Sequence, residues 1–363
     1  MSTFEVRMAA ESDDGIILNL IRQSPQPGRV VLNFEREPSF YYGARVTCDK
    51  PDVLVVFHKK TGDLAAVGNI GSRPIYVNGE EKDIRYAHDL RVATPYRGSL
   101  ALVRMFREGK KKLMPNEWLQ TVILAENEAS ISTVGSGRAG LPTYYPHGDI
   151  VTSLIFSPPR FPLKHAYTIR KASADDLPKM QSLLDEEGPK HQFFPSYKLK
   201  KIIEGSSYFR DIRISDYWLA FDGDTLVGMV GVWNQKGFKQ TRLIQYPGGL
   251  AWARHLYNLW SRLFGGVHLP AAGGVINYRT LHSVITRGDK PEVLAALIEP
   301  IAHIARRERM ALVCAFFAQD PMRAALKKFT VQKLMSKHYL VSYDDDPGKT
   351  LDDRMPYIEV ARL

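Results

Sequence analysis

Cysteine is scarce: Cys48 and Cys314 are the two in 363 residues. Two thiols cannot build a disulfide framework or a four-cysteine zinc site, so they read as reduced side chains of a cytoplasmic protein. No apolar run approaches the roughly 20 residues that a bilayer-spanning helix needs. The opening Met1-Ser2-Thr3-Phe4-Glu5 has neither a basic leader nor an apolar stretch, so no secretory signal is expected. The histidines are scattered, with no two four apart on a plausible helix. A metal is therefore not expected, and neither a Walker loop nor a Ser-His-Asp order stands out.

What is there suits a globular protein: 44% of the residues are hydrophobic and 24% charged. The length suggests about two domains, each able to bury a core. The net charge is +10, and it is uneven, with about +2 before residue 161 and +8 after it. A basic second half attracts anions such as a phosphorylated cofactor, an acidic substrate or nucleic acid. Basic runs stay short, so a solvated basic surface explains the charge equally well.

The chain repeats itself. Phe4-Glu5-Val6-Arg7-Met8 precedes Ser12-Asp13-Asp14, and Tyr167-Thr168-Ile169-Arg170-Lys171 precedes Ala174-Asp175-Asp176. Each reads as a short strand followed by an acidic helix start. Val53 to Phe57, a turn through Gly62 and Leu64 to Gly68 form one β-hairpin pattern. Tyr217 to Phe221, a turn through Gly223 and Leu226 to Gly228 form another. The offset is 163 residues from Phe4 to Tyr167 and 164 from Phe57 to Phe221. We read two copies of one α+β unit, 1–157 and 167–363. Between them lies a linker over 158–166, where prolines at 158, 159 and 162 oppose both helix and sheet.

The stretch Ile84 to Val92 alternates as a strand, with Ile84, Tyr86, His88, Leu90 and Val92 on one face. A turn through Pro95-Tyr96-Arg97-Gly98-Ser99 follows, then a helix over Leu100 to Leu113. Backbone N–H groups at such a helix start have no partner in the helix and bind phosphate well. An ordinary strand-to-helix crossover has the same pattern.

Asp89-Leu90-Arg91-Val92 followed by Pro95-Tyr96-Arg97-Gly98 resembles the central motif of the GNAT superfamily of N-acetyltransferases. The element order agrees over residues 4 to about 156, with Trp118 to Ala125 as a fifth strand and Asn127 opening the next element. A weaker match runs over 167–363. The resemblance implies an α/β (α+β) fold of two GNAT-like domains, each a mixed, mostly antiparallel sheet flanked by helices. It also implies an acetyl-CoA co-substrate held by Leu90, Arg91, Val92, Arg97, Gly98, Ser99, Leu100, Ala101, Leu102 and Asn127. The backbones of Leu90 and Val92 would pair with the pantetheine arm, and the amides of Arg97 to Leu102 would cradle the pyrophosphate. Two positions depart from the family spacing: Leu100 and Leu102 stand where small residues are usual, and their side chains crowd the phosphates.

The second copy departs further. Asn277 to Ile285 takes the fourth-strand position and a helix from Pro291 to Arg307 follows, but Asp289 and Glu292 repel phosphate. This copy is expected to have lost cofactor binding and to wall the acceptor cleft. An insertion over 234–274 carries a helix from Gly249 to Phe264, with Trp252, Leu256, Leu259, Trp260 and Leu263 at mostly helical spacing. A lid, a membrane-surface helix and a helix packed on the domain interface all fit; packing is the expectation, because aromatic stripes are usually core.

Acyl transfer to an amine needs a neutral amine, a polarised carbonyl and a protonated leaving thiolate. His88 titrates near neutrality and suits a general base. Tyr86 lies on the same strand face, whereas Asp89 points away unless a bulge reverses it. The GNAT family often uses a Tyr as acid beyond the Asn, but Ser130 to Gly140 has none. Tyr144 and Tyr145 are the nearest. Each of these side chains also suits plain core or loop packing. The expectation is an acetyl-CoA-dependent N-acetyltransferase acting on a small-molecule or peptide amine, with no nucleic-acid or membrane partner. A CoA-binding sensor without turnover and an aminoacyl-tRNA-dependent transferase are the alternatives.

Overall fold

The computed structural model describes residues 3–26, 28, 30–127 and 140–363. The first half runs β1 (Phe4–Met8), α1 (Asp14–Arg22), β2 (Val31–Glu35), α2 (Phe40–Thr47), β3 (Val53–His58) and β4 (Leu64–Asn69). A hairpin of β5 (Ser72–Val77) and β6 (Glu80–Tyr86) follows. Then come β7 (His88–Val92), α3 (Ala101–Lys110), β8 (Leu119–Leu124) and β9 (Thr143–Ser157).

After the proline-rich stretch, which is irregular, come β10 (Thr168–Lys171), α4 (Leu177–Glu187), α5 (Lys200–Ile203), β11 (Tyr217–Asp222) and β12 (Thr225–Trp233). The insertion contributes β13 (Gln240–Gln245) and α6 (Leu250–Phe264). The chain ends with β14 (Tyr278–Thr286), α7 (Pro291–Arg307), β15 (Ala311–Phe317), β16 (Thr330–Ser342) and a tail without strands. This is the mixed α/β architecture the resemblance implied.

Two antiparallel runs share one order: β1-β3-β4-β7 and β10-β11-β12-β14. The repetition reaches the side chains. Arg7 donates twice to Asp13, at 2.7 and 2.8 Å, and lies over the Phe57 ring at 4.8 Å. Arg170 donates twice to Asp176, at 2.7 and 2.6 Å, and lies over Phe221 at 4.6 Å. In both places the aspartate also accepts the N–H three residues earlier, closing the turn before the helix. The acidic helix starts read from sequence are thus built as ion-paired turns.

The halves do not stay apart. The ten-stranded sheet runs β10-β11-β12-β14-β15-β9-β16-β8-β6-β5. The last strand of the first half, β9, pairs with β15 of the second, while β16 of the second half pairs with β8 of the first. The two long strands β9 and β16 also pair with each other. β13 crosses over as well and pairs with β2.

Helix burial follows the apolar stripes. Val293, Leu294, Leu297 and Ile301 of α7 pack on Val230, Leu281 and Leu312. Ala101 and Met105 of α3 pack on Leu54, Val56 and Ala66. Each large buried aliphatic stabilises the fold by about 1.5–3 kcal/mol.

Candidate active site

β6 and β8 run parallel for a single step, Arg85 opposite Leu119 and Tyr86 opposite Gln120. The Ala87 N–H donates to the Gln120 carbonyl at 2.8 Å, and the Thr121 hydroxyl donates to the Ala87 carbonyl at 2.9 Å. There the strands part: β7 turns to pair with β4, and β8 pairs with β16. A wedge opens between them. The edge of β7 that faces it has no strand partner among the described residues, so it can take an extended ligand as a ladder partner; the Leu90 carbonyl already accepts from the Arg91 guanidinium.

Asp89 stands at φ +53, with a register shift against β4. This bulge corrects the regular alternation expected from sequence. Leu90 and Val92 pack toward α3 with Ala101 and Met105, whereas His88 and Asp89 lie together on the other face. His88 Nδ1 is 3.1 Å from Asp89 Oδ2 and Nε2 is 3.7 Å from the Cys48 sulfur. Tyr86 stacks on His88, with ring centroids 5.6 Å apart, and the Arg73 guanidinium covers the Tyr86 ring at 4.0 Å. Arg36 grips Asp89 with two hydrogen bonds, at 2.9 and 3.1 Å.

Burial sets the protonation states. It would raise the Asp89 carboxyl, but the Arg36 charge and the His88 hydrogen bond outweigh it and hold that carboxyl well below the usual range. Burial lowers His88, with Asp89 only partly opposing, so the imidazole is neutral at pH 7. Burial also lifts the Tyr86 phenol, and it raises the Cys48 thiol to about 12. Lys239 lies half-buried near the same group and donates to the Leu363 carbonyl oxygen. Burial, with Arg36 nearby, pulls its ammonium down to about 7.

The turn after β7 presents Arg97 exposed and Gly98 at φ +75 with open space around it. That backbone conformation favours glycine. The Ser99 hydroxyl donates to the Tyr96 carbonyl at 2.6 Å and accepts the Ala101 N–H at 3.2 Å, capping a helix that begins at Ala101. Leu100 is 61% exposed, and Leu102 and Arg91 are half-buried. The Arg91 guanidinium donates to the Leu90 carbonyl at 3.0 Å. Asn127 donates to Gln26 at 2.9 Å.

Tyr144 and Tyr145 fall on opposite faces of β9. Tyr144 packs with Ala87, Leu119 and Tyr339, and Tyr145 packs with Ile84 and Phe193 while donating to the Asp344 carbonyl. Of the region from Ser130 to Gly140 compared with the family's acid, residues 130–139 lie outside the described residues. Among the described residues, no group of three or more His, Cys, Asp or Glu could hold a metal ion.

The second half has an equivalent wedge, and the chain's own tail enters it, leaving a cavity of about 20 Å³ lined by Val284, Thr286, Asp289, Phe316 and Tyr357 among others. β14 and β15 pair in parallel only from Tyr278 to Thr280 and then part. Ser283, at φ +49, repeats the bulge, and His282 precedes it as His88 precedes Asp89. Here the tail supplies the partners. Glu359 accepts the Ser283 N–H at 2.9 Å and the Tyr357 hydroxyl accepts the Val284 N–H at 3.1 Å. At the following turn the Gly288 N–H donates to Glu187, and Asp289 bonds His191.

No family profile matches the sequence, and no curated protein matches it. Solved structures do. A GCN5-related N-acetyltransferase from Sphaerobacter thermophilus superposes with a TM-score of 0.53 at 13% identity, covering 99% of both chains. One from Anabaena variabilis gives 0.54 at 10% identity, over 94% of this chain and 73% of that one. The chain has the GCN5-related N-acetyltransferase fold. The N-myristoyltransferase of Saccharomyces cerevisiae, solved with myristoyl-CoA, also superposes, with a TM-score of 0.56 at 12% identity over 96% of this chain and 84% of that one.

Within this GNAT fold, sequence reasoning missed Arg36 and Lys239. Arg36 sits between Glu35 and Glu37 and reads as a surface charge. Nothing local marks it for burial, because its partner Asp89 is 53 residues away. Arg362 was missed for the same reason. It is fully buried and donates to the Tyr208 carbonyl at 2.8 Å and to the Val46 carbonyl, joining the two halves.

Proposed function

We propose that the chain is an acyl-CoA-dependent N-acyltransferase that works from its first wedge, with acetyl as the acyl group. The observation that carries this reading is the contrast between the two wedges. In the first, the β7 edge and the glycine turn at Gly98 are open. In the second, protein groups hold the corresponding amides. An extended pantetheine arm fits the edge of β7 from Leu90 to Val92. A pyrophosphate fits the start of α3, where the amides that follow the Ser99-held Ala101 N–H lack helix partners and Arg97 adds positive charge.

The thioester end then lies toward the closed corner of the wedge, near Ala87 and His88. The amine nitrogen attacks the thioester carbon, the C–S bond breaks, the amine gives up a proton and the departing thiolate takes one. His88 is the base in this reading: it is neutral at pH 7 and oriented by Asp89. Tyr86 supports it by stacking. Tyr144 and Tyr145 serve as packing for β9, and the acceptor amine enters between the halves.

Calorimetry with acetyl-CoA tests the site. The full chain should bind, and Arg97→Glu should weaken binding by about 1–3 kcal/mol, the scale of a charge-assisted hydrogen bond. Arg287→Glu, at the turn of the second wedge, should leave the affinity unchanged. Equal affinity for wild type and Arg97→Glu would count against the site.

A further inference from the structure

Helix α6 is turned inside out. Its inward stripe is polar: Ser261 is fully buried and donates to the Gly266 carbonyl at 2.8 Å, and Asn258 exchanges hydrogen bonds with Leu269 at 2.8 and 2.9 Å. Its outward stripe is apolar. Trp252, Leu256, Leu259, Trp260, Leu263 and Phe264 are between 48% and 75% exposed. This overturns the expectation that these aromatics pack on an interface. So large a contiguous apolar surface marks a site of interaction.

Charge selects the occupant. Residues 225–288 form a stretch of 64 without one Asp or Glu, and it holds seven lysines and arginines. Arg262 is exposed on α6 itself, and Arg254 lies half-buried on it. Arg306 donates to the Phe264 carbonyl at the end of the helix, and Arg309 meets His268 at 3.2 Å. Glu308 is the acidic neighbour on that turn. An apolar stripe with two tryptophans and arginines at its margins matches the boundary between acyl chains and anionic headgroups. A protein groove would satisfy the apolar stripe without any need for a basic margin.

We propose that α6 docks the protein on an anionic lipid bilayer, lying in the plane of the interface with Trp252 and Leu263 inserted. This departs from the expectation of no membrane partner. It stands apart from the acyltransferase reading, since binding needs neither CoA nor turnover. No helix among the described residues is long and apolar enough to cross a membrane, so the contact is peripheral.

Sedimentation of the full chain with vesicles tests it. Phosphatidylcholine vesicles rich in phosphatidylglycerol should pull the protein down, and pure phosphatidylcholine vesicles should do so at least tenfold less well. The exposed triple variant Trp252→Ser, Leu256→Ser, Leu263→Ser should lose binding while keeping the wild-type melting temperature. Arg254→Glu with Arg262→Glu should weaken binding roughly 20-fold or more, at about 1 kcal/mol per charge near the surface. Equal binding to neutral vesicles, or binding that survives the triple variant, would overturn the proposal. So would failure to bind vesicles by a chain that self-associates through α6, seen as a dimer by analytical ultracentrifugation and abolished in the triple variant.

Discussion

Neutralising either partner of the Asp89–Arg36 pair should cost more than any other single substitution in the candidate site. The Asp89 side chain is 5% exposed and that of Arg36 is 4% exposed, so neither charge is screened by water. Removing one partner of such a pair leaves the other charge buried alone, a loss of about 3–5 kcal/mol. Asn is the replacement of choice, because Asp89 sits at φ +53 and Asn tolerates that conformation without new strain. Asp89→Asn and Arg36→Met should each destabilise by about 3–5 kcal/mol. The double variant should fall short of the sum by at least about 2 kcal/mol, because it strands no charge.

Urea unfolding followed by circular dichroism, with an unchanged slope, measures each value. The sign with pH is also fixed. The folded Asp89 carboxyl lies below its unfolded value of about 3.9. Its contribution is therefore complete above about pH 4 and is lost as the pH falls further. The gap between wild type and Asp89→Asn should narrow in acid. A single-variant cost under about 1 kcal/mol, or strict additivity in the double, would refute the reasoning.

Lys239→Met should raise stability at neutral pH. Burial depresses the folded ammonium to about 7, so charging it costs stability, and that cost shrinks as the pH climbs from about 7 toward 10.4. A gain of roughly 2–4 kcal/mol in urea unfolding at pH 7 is expected after one lost hydrogen bond is counted, shrinking by pH 10; a loss at pH 7 would contradict it. Gly71→Ala should cost about 3 kcal/mol or more, since a Cβ there would stand 2.6 Å from the Lys50 carbonyl oxygen and 2.8 Å from Pro51 Cα. Gly62→Ala, at φ +75 in open space, should cost only about 1 kcal/mol, and equal melting temperatures for the two variants would show that steric contact does not decide.

Local pattern carried much of the fold. The helix read from Pro291 to Arg307 forms over those residues, and the two β-hairpins form where a turn glycine parts two apolar runs. What was hidden depends on distant partners. Ile84 to Val92 reads as one alternating strand, yet it breaks at Ala87 and bulges at Asp89 because Arg36 pulls that carboxylate across. The Ser72–Tyr86 hairpin was not read, since Glu80 to Asp83 look like loop. Strand exchange leaves no mark on periodicity: β9 and β16 alternate alike whichever half they join. The apolar stripe of α6 was legible, but its direction was not. Which face turns inward is set by Asn258 and Ser261 bonding the return segment, a contact no helical wheel reveals.

Exchange and plugging together explain why two similar wedges differ. Swapping β9 and β16 joins β8, β6 and β5 of the first half to the sheet of the second, leaves β1-β3-β4-β7 as a sheet of its own, and carries the chain end back to β14. The tail that leaves β16 therefore reaches the bulge at Ser283 first. It enters that opening with Tyr357 and Glu359, then continues to Arg362, whose guanidinium bonds the carbonyls of Tyr208 and Val46. The same tail cannot also occupy the edge of β7. Its remaining contacts there run through side chains on the His88 face: the Arg73 guanidinium that covers Tyr86 donates to the Arg362 carbonyl, and Lys239 donates to Leu363. The second half thus closes its own wedge and, with the same segment, builds the wall behind His88. One wedge stays open because the other consumes the chain that could have filled it.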